Sequence, residues 1–355
     1  MTNKHSKIKV VVAMSGGVDS AVAAALLKKE GYDVVGVFMQ FWFPKGEIYG
    51  ENRCCSLESF NEAKKVADTL DIPLHKLNVG KSFKEKVVDE FLKLYRSGKT
   101  PNPCVTCNKF IKFDLLLKHA RTIWGADYLA TGHYARLQKT KPSLLRGKDK
   151  NKDQSYFLYN LKKKDLPHLL FPVGGYTKSE IRQVAKKLKL SVHSKSDSQE
   201  ICFVGNSHYD FLKKYLKLKG GNIIDERGNI LGEHSGLPLY TIGQRTGLGL
   251  AGGPWYVCGF NRRKNELTVT RDQAKSDIFS NELKCVSVNW IGGKPKLPLK
   301  CQAQIRYRTK PVNCNVFNVS GGLKVVFSSK QRAIMPGQSI VFYRGQEVLG
   351  GGVIV

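Results

Sequence analysis

The most constraining feature of the sequence is the loop Ser15-Gly16-Gly17-Val18-Asp19-Ser20. It follows the β-branched run from Ile8 to Ala13, which predicts a buried strand, and it precedes apolar residues at helical spacing from Val22 to Leu27. A glycine pair between a strand and a helix lets the backbone approach a ligand, while amides at the helix start point at an anion. The feature therefore predicts a phosphate-binding loop in an α/β fold.

The following segments continue the alternation of strand-like and helix-like patterns. We predict strands at Asp33 to Met39, Leu74 to Val79 and Tyr128 to Thr131, helices around residues 60–70, 83–95 and 113–120, and a helix through Leu188 that is opened by the capping box Thr177-Lys178-Ser179-Glu180. Strands alternating with helices indicate a parallel sheet covered on both faces. Beyond about Gly220, short β-prone runs broken by glycine and asparagine predict small β-rich, barrel-like domains.

The chain length of 355 residues allows two or three domains. We expect an α/β catalytic domain at 1–210, a central small β-rich domain at 211–278 and a carboxyl-terminal β-barrel-like domain at 279–355.

Charge is the main compositional signal. There are 58 Lys+Arg against 29 Asp+Glu, a formal net charge of +29. Such an excess favours a polyanionic partner, nucleic acid first, because each neutralised phosphate releases condensed counterions. The alternative is a lysine-rich surface that only keeps the protein in solution. The sequence contains no apolar run of the ~18–20 residues that a membrane span needs, so we expect a soluble, cytoplasmic protein without a membrane partner.

The loop lacks the lysine of a Walker motif, so its serines and aspartate define its chemistry. Ser15 and Ser20 can donate hydroxyl hydrogen bonds to phosphate oxygens. Asp19 would repel phosphate unless it holds Mg²⁺ or caps loop amides. The alternative is an ordinary strand-to-helix turn in which Asp19 is a solvated cap.

Three of the nine cysteines stand in chemically suggestive positions. Cys104 and Cys107 follow the turn-forming Pro-Asn-Pro of residues 101–103, and Cys202 lies between Ile201 and Phe203. Three interpretations remain open: a two-thiol redox pair or half of a zinc site, an iron–sulfur cluster on all three thiolates, or persulfide chemistry in which one cysteine carries sulfur and another resolves it. Cys202 could also be a packed core thiol. An odd number of cysteines in a chain without secretory features argues against a structural disulfide framework.

Basic and aromatic residues alternate at Arg306-Tyr307-Arg308, which we predict to lie in a strand-like run. This combination can pair phosphates and stack an unpaired nucleotide, although it also fits an exposed strand face. His133 follows the predicted strand at 128–131, where open α/β sheets bind ligands, although a histidine there is more often a structural hydrogen bonder.

The loop resembles that of the enzymes that split ATP into AMP and pyrophosphate, the PP-loop pyrophosphatases with an adenine-nucleotide α-hydrolase-like fold. Further motifs occur along the whole chain in one order: Pro-Asn-Pro-x-x-x-Cys-Asn at 101–108, Thr-Gly-His-Tyr at 131–134, Lys-Asp-Gln-Ser-Tyr at 152–156, Ile-Cys-Phe at 201–203, Gly-Gln-Arg at 243–245 and Pro-Gly-Gln at 336–338. Together they are similar to the tRNA 2-thiouridylases.

The resemblance implies a role for each matching residue. Cys107 corresponds to the nucleophile and Cys202 to the persulfide carrier, with a Cys107–Cys202 disulfide in one route. Implied ATP contacts are Ala13, Met14, Ser15, Gly16, Gly17, Val18, Asp19, Ser20, Met39 and Gly132. Asn102, Pro103 and Cys104 match the segment that faces the target base. Implied tRNA contacts are His133, Lys152, Asp153, Gln154, Arg306, Tyr307 and Gln338.

The activity implied by the resemblance is ATP-dependent 2-thiolation of the wobble uridine of tRNA, with Mg²⁺ as cofactor. The expected partners are tRNAs of the Lys, Glu and Gln type and a sulfur donor such as a cysteine desulfurase or a sulfur-relay protein. Many family members have aspartate where this chain has Cys104, and a thiol replaces a carboxylate better as a metal ligand than as a base. This favours the alternative of a [4Fe-4S] cluster on Cys104, Cys107 and Cys202.

Two other classes of protein would share some of these features. A small-molecule ligase with the same loop would need neither the paired thiols nor the basic excess. An RNA-binding sensor built on a cluster or zinc would not need an intact ATP loop.

Overall fold

The computed structural model describes residues 7–44, 56–138, 140–196, 201–204, 207–272 and 278–355. Its strands are β1 (Lys9–Ala13), β2 (Asp33–Gln40), β3 (Leu74–Asn78), β4 (Tyr128–Thr131), β5 (Ala135–Gln138), β6 (Ser143–Arg146), β7 (Leu169–Leu170), β8 (Gly221–Ile224), β9 (Ile230–His234), β10 (Tyr256–Asn261), β11 (Glu266–Thr270), β12 (Phe279–Trp290), β13 (Leu299–Gln304), β14 (Val312–Val319), β15 (Gly322–Arg332), β16 (Ser339–Arg344) and β17 (Glu347–Ile354). Cys54 and Cys55 lie outside the described residues.

The α-helices are α1 (Val18–Lys29), α2 (Leu57–Thr69), α3 (Gly80–Phe83), α4 (Asp89–Arg96), α5 (Pro103–Cys107), α6 (Leu117–Thr122), α7 (Lys178–Lys187) and α8 (His208–Tyr215). Two π-helical segments, Lys84–Val88 and Asn108–Leu116, join α3 to α4 and α5 to α6. Short 3₁₀ segments occur at Ser155–Leu158, Lys163–His168, Ser191–Ser194 and Leu237–Leu239. Among these helices none is long and apolar enough to cross a membrane.

The amino-terminal sheet has the strand order β3-β2-β1-β4-β7, and every neighbouring pair is parallel. Its central strand β1 is apolar on both faces because alternate side chains enter different cores. Val10 and Val12 pack with α1, α2 and α7, whereas Val11 packs with the helices between residues 80 and 122. The predicted α/β class, with a parallel sheet followed by β-rich domains, is confirmed.

The central sheet has the order β10-β11-β8-β9 and encloses a small core around Ile223, Val257 and Leu267. The last six strands form a closed barrel in the order β12-β15-β14-β13-β16-β17, because β17 also pairs with β12. The domain limits at 210/211 and 278/279 stay predictions.

One pairing crosses between the first and last parts of the chain. The hairpin of β5 and β6 leaves the amino-terminal sheet and adds to the barrel sheet through the pairs Glu347↔Leu145 and Val348↔Leu144. Tyr156 is buried beside it, and its hydroxyl donates to the Ser339 carbonyl at 2.8 Å. The barrel is therefore joined to the amino-terminal domain by backbone pairing as well as by side chains.

The prediction that Arg306 to Arg308 lie within a strand was wrong. Strand β13 ends at Gln304, and the three residues form a turn. Arg308 has φ 65°, a left-handed conformation that a strand does not accommodate. Alternation of basic and aromatic residues does not distinguish a strand from a turn.

Candidate nucleotide and thiol site

The predicted phosphate loop lies between β1 and α1, and a serine pair fixes its shape. The Ser20 hydroxyl donates to the Gly17 carbonyl at 3.0 Å and accepts from the Ser15 amide at 3.1 Å. The hydroxyls of Ser15 and Ser20 are 3.3 Å apart. The loop thus holds two hydroxyl groups side by side at the amino-terminal end of a helix.

Two glycines allow neighbouring elements to approach this loop closely. Gly16 has φ 71°, and a Cβ there would overlap the carbonyl of Ser59 in α2. A Cβ at Gly132, just after β4, would lie 2.7 Å from the Ser20 amide nitrogen. A larger residue at either position would displace backbone rather than a flexible side chain.

The loop fits a polyphosphate by the chemistry of its donors. Helix α1 begins after Gly17, which supplies no side-chain cap, so amides of the first turn are available to an anion. The side chains of Met14 and Val18 are buried, so these residues would contact a nucleotide through their backbone. Ala13, Met39 and Gly132 lie at the carboxyl ends of three adjacent strands, the usual ligand edge of an open parallel sheet.

Asp19 has two partners that the sequence analysis did not identify. The Tyr134 hydroxyl donates to Oδ1 of Asp19 at 2.7 Å, and Lys178 Nζ lies 2.7 and 2.9 Å from its two carboxylate oxygens. The Lys178 side chain is only 12% exposed, so this ion pair is poorly screened by solvent. Lys178 therefore brings a positive charge to the phosphate loop from a helix 159 residues further along the chain.

The helix that carries Lys178 has the predicted capping box. The Glu180 amide donates to the Thr177 hydroxyl at 3.3 Å, and the Glu180 carboxylate accepts from the Thr177 amide at 2.6 Å. Lys148 and Thr177 together lower the pKa of Glu180 to about 2, so this carboxylate stays charged. The motif that signalled a helix start thus also fixes the position of Lys178.

The two neighbouring cysteines lie on a short helix with different exposure. Asn102 caps α5 by accepting from the Val105 amide at 3.4 Å, and Pro103 occupies the first turn, where its missing N–H costs nothing. Cys104 is exposed, whereas Cys107 is buried at 8% exposure. The Pro-Asn-Pro segment therefore begins a helix that directs one thiol outward and the other toward the core.

Cys202 packs against the same hydrophobic core that contains Cys107. The adjacent Phe203 is buried among aromatic rings and lies 5.2 Å from Phe91 and 5.7 Å from Phe83. The Val204 amide donates to the Ile201 carbonyl at 3.1 Å, which makes a turn around Cys202. Gln199, Glu200 and Gly205, which flank this turn in the sequence motif, lie outside the described residues.

No group of three or more His, Cys, Asp or Glu side chains arranged to hold a metal occurs within the described ranges. Those ranges include Cys104, Cys107 and Cys202. The geometry thus adds no support to an iron–sulfur cluster on these residues, and the cluster stays an alternative for direct chemical measurement.

The barrel contacts the chain just before helix α5, at Thr100 and Pro101, through the turn at residues 336–338. Gln338 Nε2 donates to the carbonyls of Thr100 at 3.0 Å and Pro101 at 3.3 Å, and the Thr100 amide donates to the Pro336 carbonyl at 2.8 Å. Gly337 has φ 91°, and a Cβ there would lie 2.9 Å from Cβ of Lys99. These bonds fix the chain just before Asn102.

Three family models match consecutive parts of the chain. They are described as the tRNA methyl transferase HUP domain at residues 8–206, the tRNA methyl transferase PRC-barrel domain at residues 209–271 and the aminomethyltransferase beta-barrel domain at residues 280–354. Among curated relatives, the tRNA-specific 2-thiouridylase MnmA of Clostridium botulinum (strain Alaska E43 / Type E3) is 48% identical over 358 residues, which cover 98% of each chain. This chain belongs to the tRNA-specific 2-thiouridylase family.

A second member of the 2-thiouridylase family, from Carboxydothermus hydrogenoformans, is 49% identical and covers 98% of this chain and 97% of its own. Among solved structures, a 4-thiouridine synthetase–RNA complex with bound ATP has 16% identity and a TM-score of 0.33, and covers 58% of this chain and 50% of that one. That structural likeness is too weak to bear on the site.

The resemblance to the 2-thiouridylases implied tRNA contacts at Arg306 and Tyr307, which lie in the turn after β13. The Tyr307 ring is 4.5 Å from that of Phe157, whose carbonyl accepts from the side-chain amide of Asn108 at 3.1 Å. Arg306 donates to the Ala333 carbonyl at 2.6 Å. The turn after β13 therefore connects the barrel to the residue that follows Cys107.

The residues Lys152, Asp153 and Gln154 are half-buried in a loop before the 3₁₀ segment at 155–158. Asp153 accepts from the amides of Gly147 and Ser155 at 2.9 and 3.0 Å, and Gln154 accepts from the Tyr134 amide at 3.0 Å. Asp153 and Gln154 thus organise the protein's own backbone, and their implied contacts with tRNA stay predictions.

His133 is buried at 8% exposure. Its Nδ1 lies 2.7 Å from the Thr131 hydroxyl, and its ring packs against Phe113 and Phe171. Burial, followed by the charge of Lys112, holds the pKa of His133 well below 6.5. The imidazole is therefore neutral at pH 7, and its implied contact with tRNA, which stays a prediction, would be a hydrogen bond rather than an ion pair.

Proposed function

We propose that this protein is an ATP-dependent tRNA uridine 2-sulfurtransferase that converts the wobble uridine to 2-thiouridine. The observation that carries the proposal is the combination of the serine–glycine phosphate loop with Cys107 and Cys202 in one hydrophobic core. The membership in the 2-thiouridylase family supports the same conclusion. A ligase for small molecules would need the loop but not the paired thiols.

The first step activates the base. The uridine is extruded from its stack, because its C2 position is inaccessible there, and it enters beside Asn102, Pro103 and Cys104. Its C2 oxygen attacks the α-phosphate of ATP held on the loop, pyrophosphate leaves, and the oxygen becomes part of an AMP leaving group. Lys178 and the amides of α1 balance the phosphate charge. Mg²⁺ would neutralise further phosphate charge. Asp19 carries the loop carboxylate that would hold the ion if Lys178, which lies 2.7 and 2.9 Å from its two oxygens, turned toward the phosphates.

The second step replaces oxygen by sulfur. A persulfide on Cys202 supplies the terminal sulfur, which attacks C2 and expels AMP. The Cys107 thiolate then attacks Sγ of Cys202, which breaks the S–S bond to the transferred sulfur, forms a Cys107–Cys202 disulfide and releases 2-thiouridine. In the alternative route the Cys107 thiolate attacks Sγ of Cys202, so that hydrosulfide is released, a Cys107–Cys202 disulfide forms, and the hydrosulfide attacks C2. A dithiol reductant then restores both thiols. Burial of Cys107 protects this chemistry from bulk oxidants.

The family resemblance further suggests tRNAs of the Lys, Glu and Gln type as substrates, a cysteine desulfurase or sulfur-relay protein as donor, and the cytoplasm as compartment. The substrates, the donor and the compartment are part of the proposal. The substrates and the donor are tested by supplying each tRNA and each sulfur donor separately.

The experiment uses radiolabelled ATP, unmodified tRNA and a sulfur source. We expect AMP and pyrophosphate only when tRNA is present, and 2-thiouridine in the digested product. Cys107→Ser and Cys202→Ser should abolish thiolation and leave ATP binding intact, whereas Cys258→Ser, in strand β10 of the central sheet, should change neither. Turnover of ATP without RNA would contradict the proposal. Iron and sulfide analysis after anaerobic purification tests the cluster alternative: full activity in an iron-free sample would eliminate it.

A further inference from the structure

A second concave site lies between the end of helix α4 and the central sheet. It is a cavity of about 210 Å³, separate from the phosphate loop. The polar and glycine residues that matter to its chemistry are Arg96, Gly98, Lys217, Lys219, Arg262 and Asn265.

The cavity is strongly basic. Arg96, Lys217, Lys219 and Arg262 place four cations around it, and its described lining contains no aspartate or glutamate. None of the ion pairs found among the described residues involves any of the four. Four like charges that converge on one cavity repel one another, so their arrangement favours an anion between them.

Neutral backbone groups position Arg262 and the loop that carries Lys219. Arg262 donates to the Ser97 carbonyl, and its guanidinium occupies the space beside Gly98, where a Cβ would overlap it. The Asn265 side chain donates to the carbonyls of Lys219 and Gly220 at 3.2 and 2.6 Å, which fixes the loop that carries Lys219. The groups that accept these bonds are uncharged carbonyls. They fix the position of Arg262 and of the loop of Lys219 without neutralising the positive charges.

The position of the cavity points to the kind of anion it binds. Gly98 precedes Cys104 by six positions (104 − 98), and an extended chain spans at most ~3.6 Å per residue, so this glycine lies within about 22 Å of the predicted target-base segment. This distance is within reach of the backbone of a nucleic acid that delivers a base to Cys107. Guanidinium and ammonium groups are the usual partners of backbone phosphates.

We propose that this cavity binds a backbone phosphate of the tRNA substrate. The proposal rests on the proposed function and adds a contact in the central domain, which none of the implied tRNA contacts includes. The phosphate contributes affinity and position without reading sequence.

The test compares two double variants with equal loss of charge. Lys217→Gln/Lys219→Gln removes the two exposed cations that do not pin backbone, and Lys186→Gln/Lys187→Gln removes two exposed cations of α7 as the control. The dissociation constant for unmodified tRNA is measured without ATP or a sulfur source, from about 50 to 200 mM KCl. We expect about tenfold weaker binding for the first variant at low salt, with the slope of log K against log salt reduced by about 1 to 2. The control should change affinity less than about twofold.

A second readout is amine acetylation followed by mass spectrometry. Bound tRNA should protect Lys217 and Lys219 in the wild-type protein and leave Lys186 and Lys187 reactive. Equal affinity loss in both double variants, or no protection of Lys217 and Lys219, would overturn the proposal. Binding of tRNA is measured without the thiolation reaction. Failure of the cavity proposal would therefore leave the proposed function intact, whereas absence of thiolation by the wild-type protein would refute the proposed function.

Discussion

Gln338 in the barrel donates a hydrogen bond to the Thr100 carbonyl at 3.0 Å, across 238 positions of sequence. In the structure the Gln338 amide holds the backbone that leads into Asn102 and Cys107, and its implied contact with tRNA stays a prediction. Gln338 is therefore a positioning residue for helix α5, which carries Cys104 and Cys107. It makes the geometry of the thiol depend on the barrel.

Gln338→Glu replaces the amide donor by a carboxylate that faces two carbonyl oxygens. We expect kcat to fall about tenfold, since the loss of one such bond costs on the order of 1.4 kcal/mol, while KM for tRNA stays within about twofold. The alkylation rate of Cys107 without tRNA should change as well. Gln331→Glu is the matched control, because its amide bonds only locally to Ser329. A raised KM with unchanged kcat and alkylation would show a direct tRNA contact instead.

Lys178→Met should weaken ATP binding. The change leaves the Asp19 carboxylate without its cation beside the phosphates, and like charges repel at short range. We expect about a tenfold higher dissociation constant for ATP, measured by calorimetry without tRNA. Lys187→Met, exposed on the same helix, is the control. Equal ATP affinity in both variants would remove Lys178 from the nucleotide site.

Gly16→Ala and Gly31→Ala separate backbone strain from close packing. Both glycines have positive φ, 71° and 88°, but a Cβ at Gly31 meets nothing within 4 Å, whereas at Gly16 it overlaps the Ser59 carbonyl. We expect Gly31→Ala to cost roughly 1–2 kcal/mol of unfolding free energy and Gly16→Ala a further ~1–3 kcal/mol. Urea denaturation measures both. Similar losses of unfolding free energy in the two variants would mean that helix α2 moves away from a Cβ at position 16 at little energetic cost.

The buried His133 makes stability depend on pH. Its folded pKa lies below the unfolded value of ~6.5, so the folded state resists protonation and stability is highest above that pH. As pH falls below ~6.5, the contribution of this group declines by up to about 1.4 kcal/mol per pH unit until the folded pKa is reached. The His133→Gln variant should therefore lose less unfolding free energy than the wild-type protein between pH 6.5 and 5, because the other titrating groups contribute equally in both. Urea denaturation at each pH measures this free energy. If the unfolding free energies of the two proteins changed in parallel with pH, a lowered pKa of His133 would be refuted.

Local patterns in the sequence predicted the elements that hold the site. The strand, loop and helix around Ser15 to Ser20, the parallel sheet and the capping box at Thr177 all depend on short-range hydrophobic spacing or on one side chain and its nearest amides. The α5 helix start at Asn102 was not assigned, although a cap residue followed by proline is its usual signal.

The contacts across long separations could not be predicted from the sequence. Lys178 was noted only as part of a capping box, because nothing local indicates which carboxylate it meets. The relation of Gln338 to Thr100 and the burial of Cys107 likewise depend on how the domains pack. The turn at Arg306 was missed because its basic and aromatic residues fit more than one backbone conformation.

The pairing of β6 with β17 has a consequence for synthesis of the chain. The ribosome makes Leu144 and Leu145 about 200 positions before their partners Val348 and Glu347, so the outer edge of the hairpin stays unpaired until β17 has been made. Gln338, whose side chain holds the Thr100 carbonyl, is likewise made 238 positions after Thr100. A nascent chain can therefore form its phosphate loop early, but the backbone before Asn102 gains its bonds to Gln338 only after most of the barrel has been made. Translation that stops before β17 leaves an unpaired strand edge that favours aggregation.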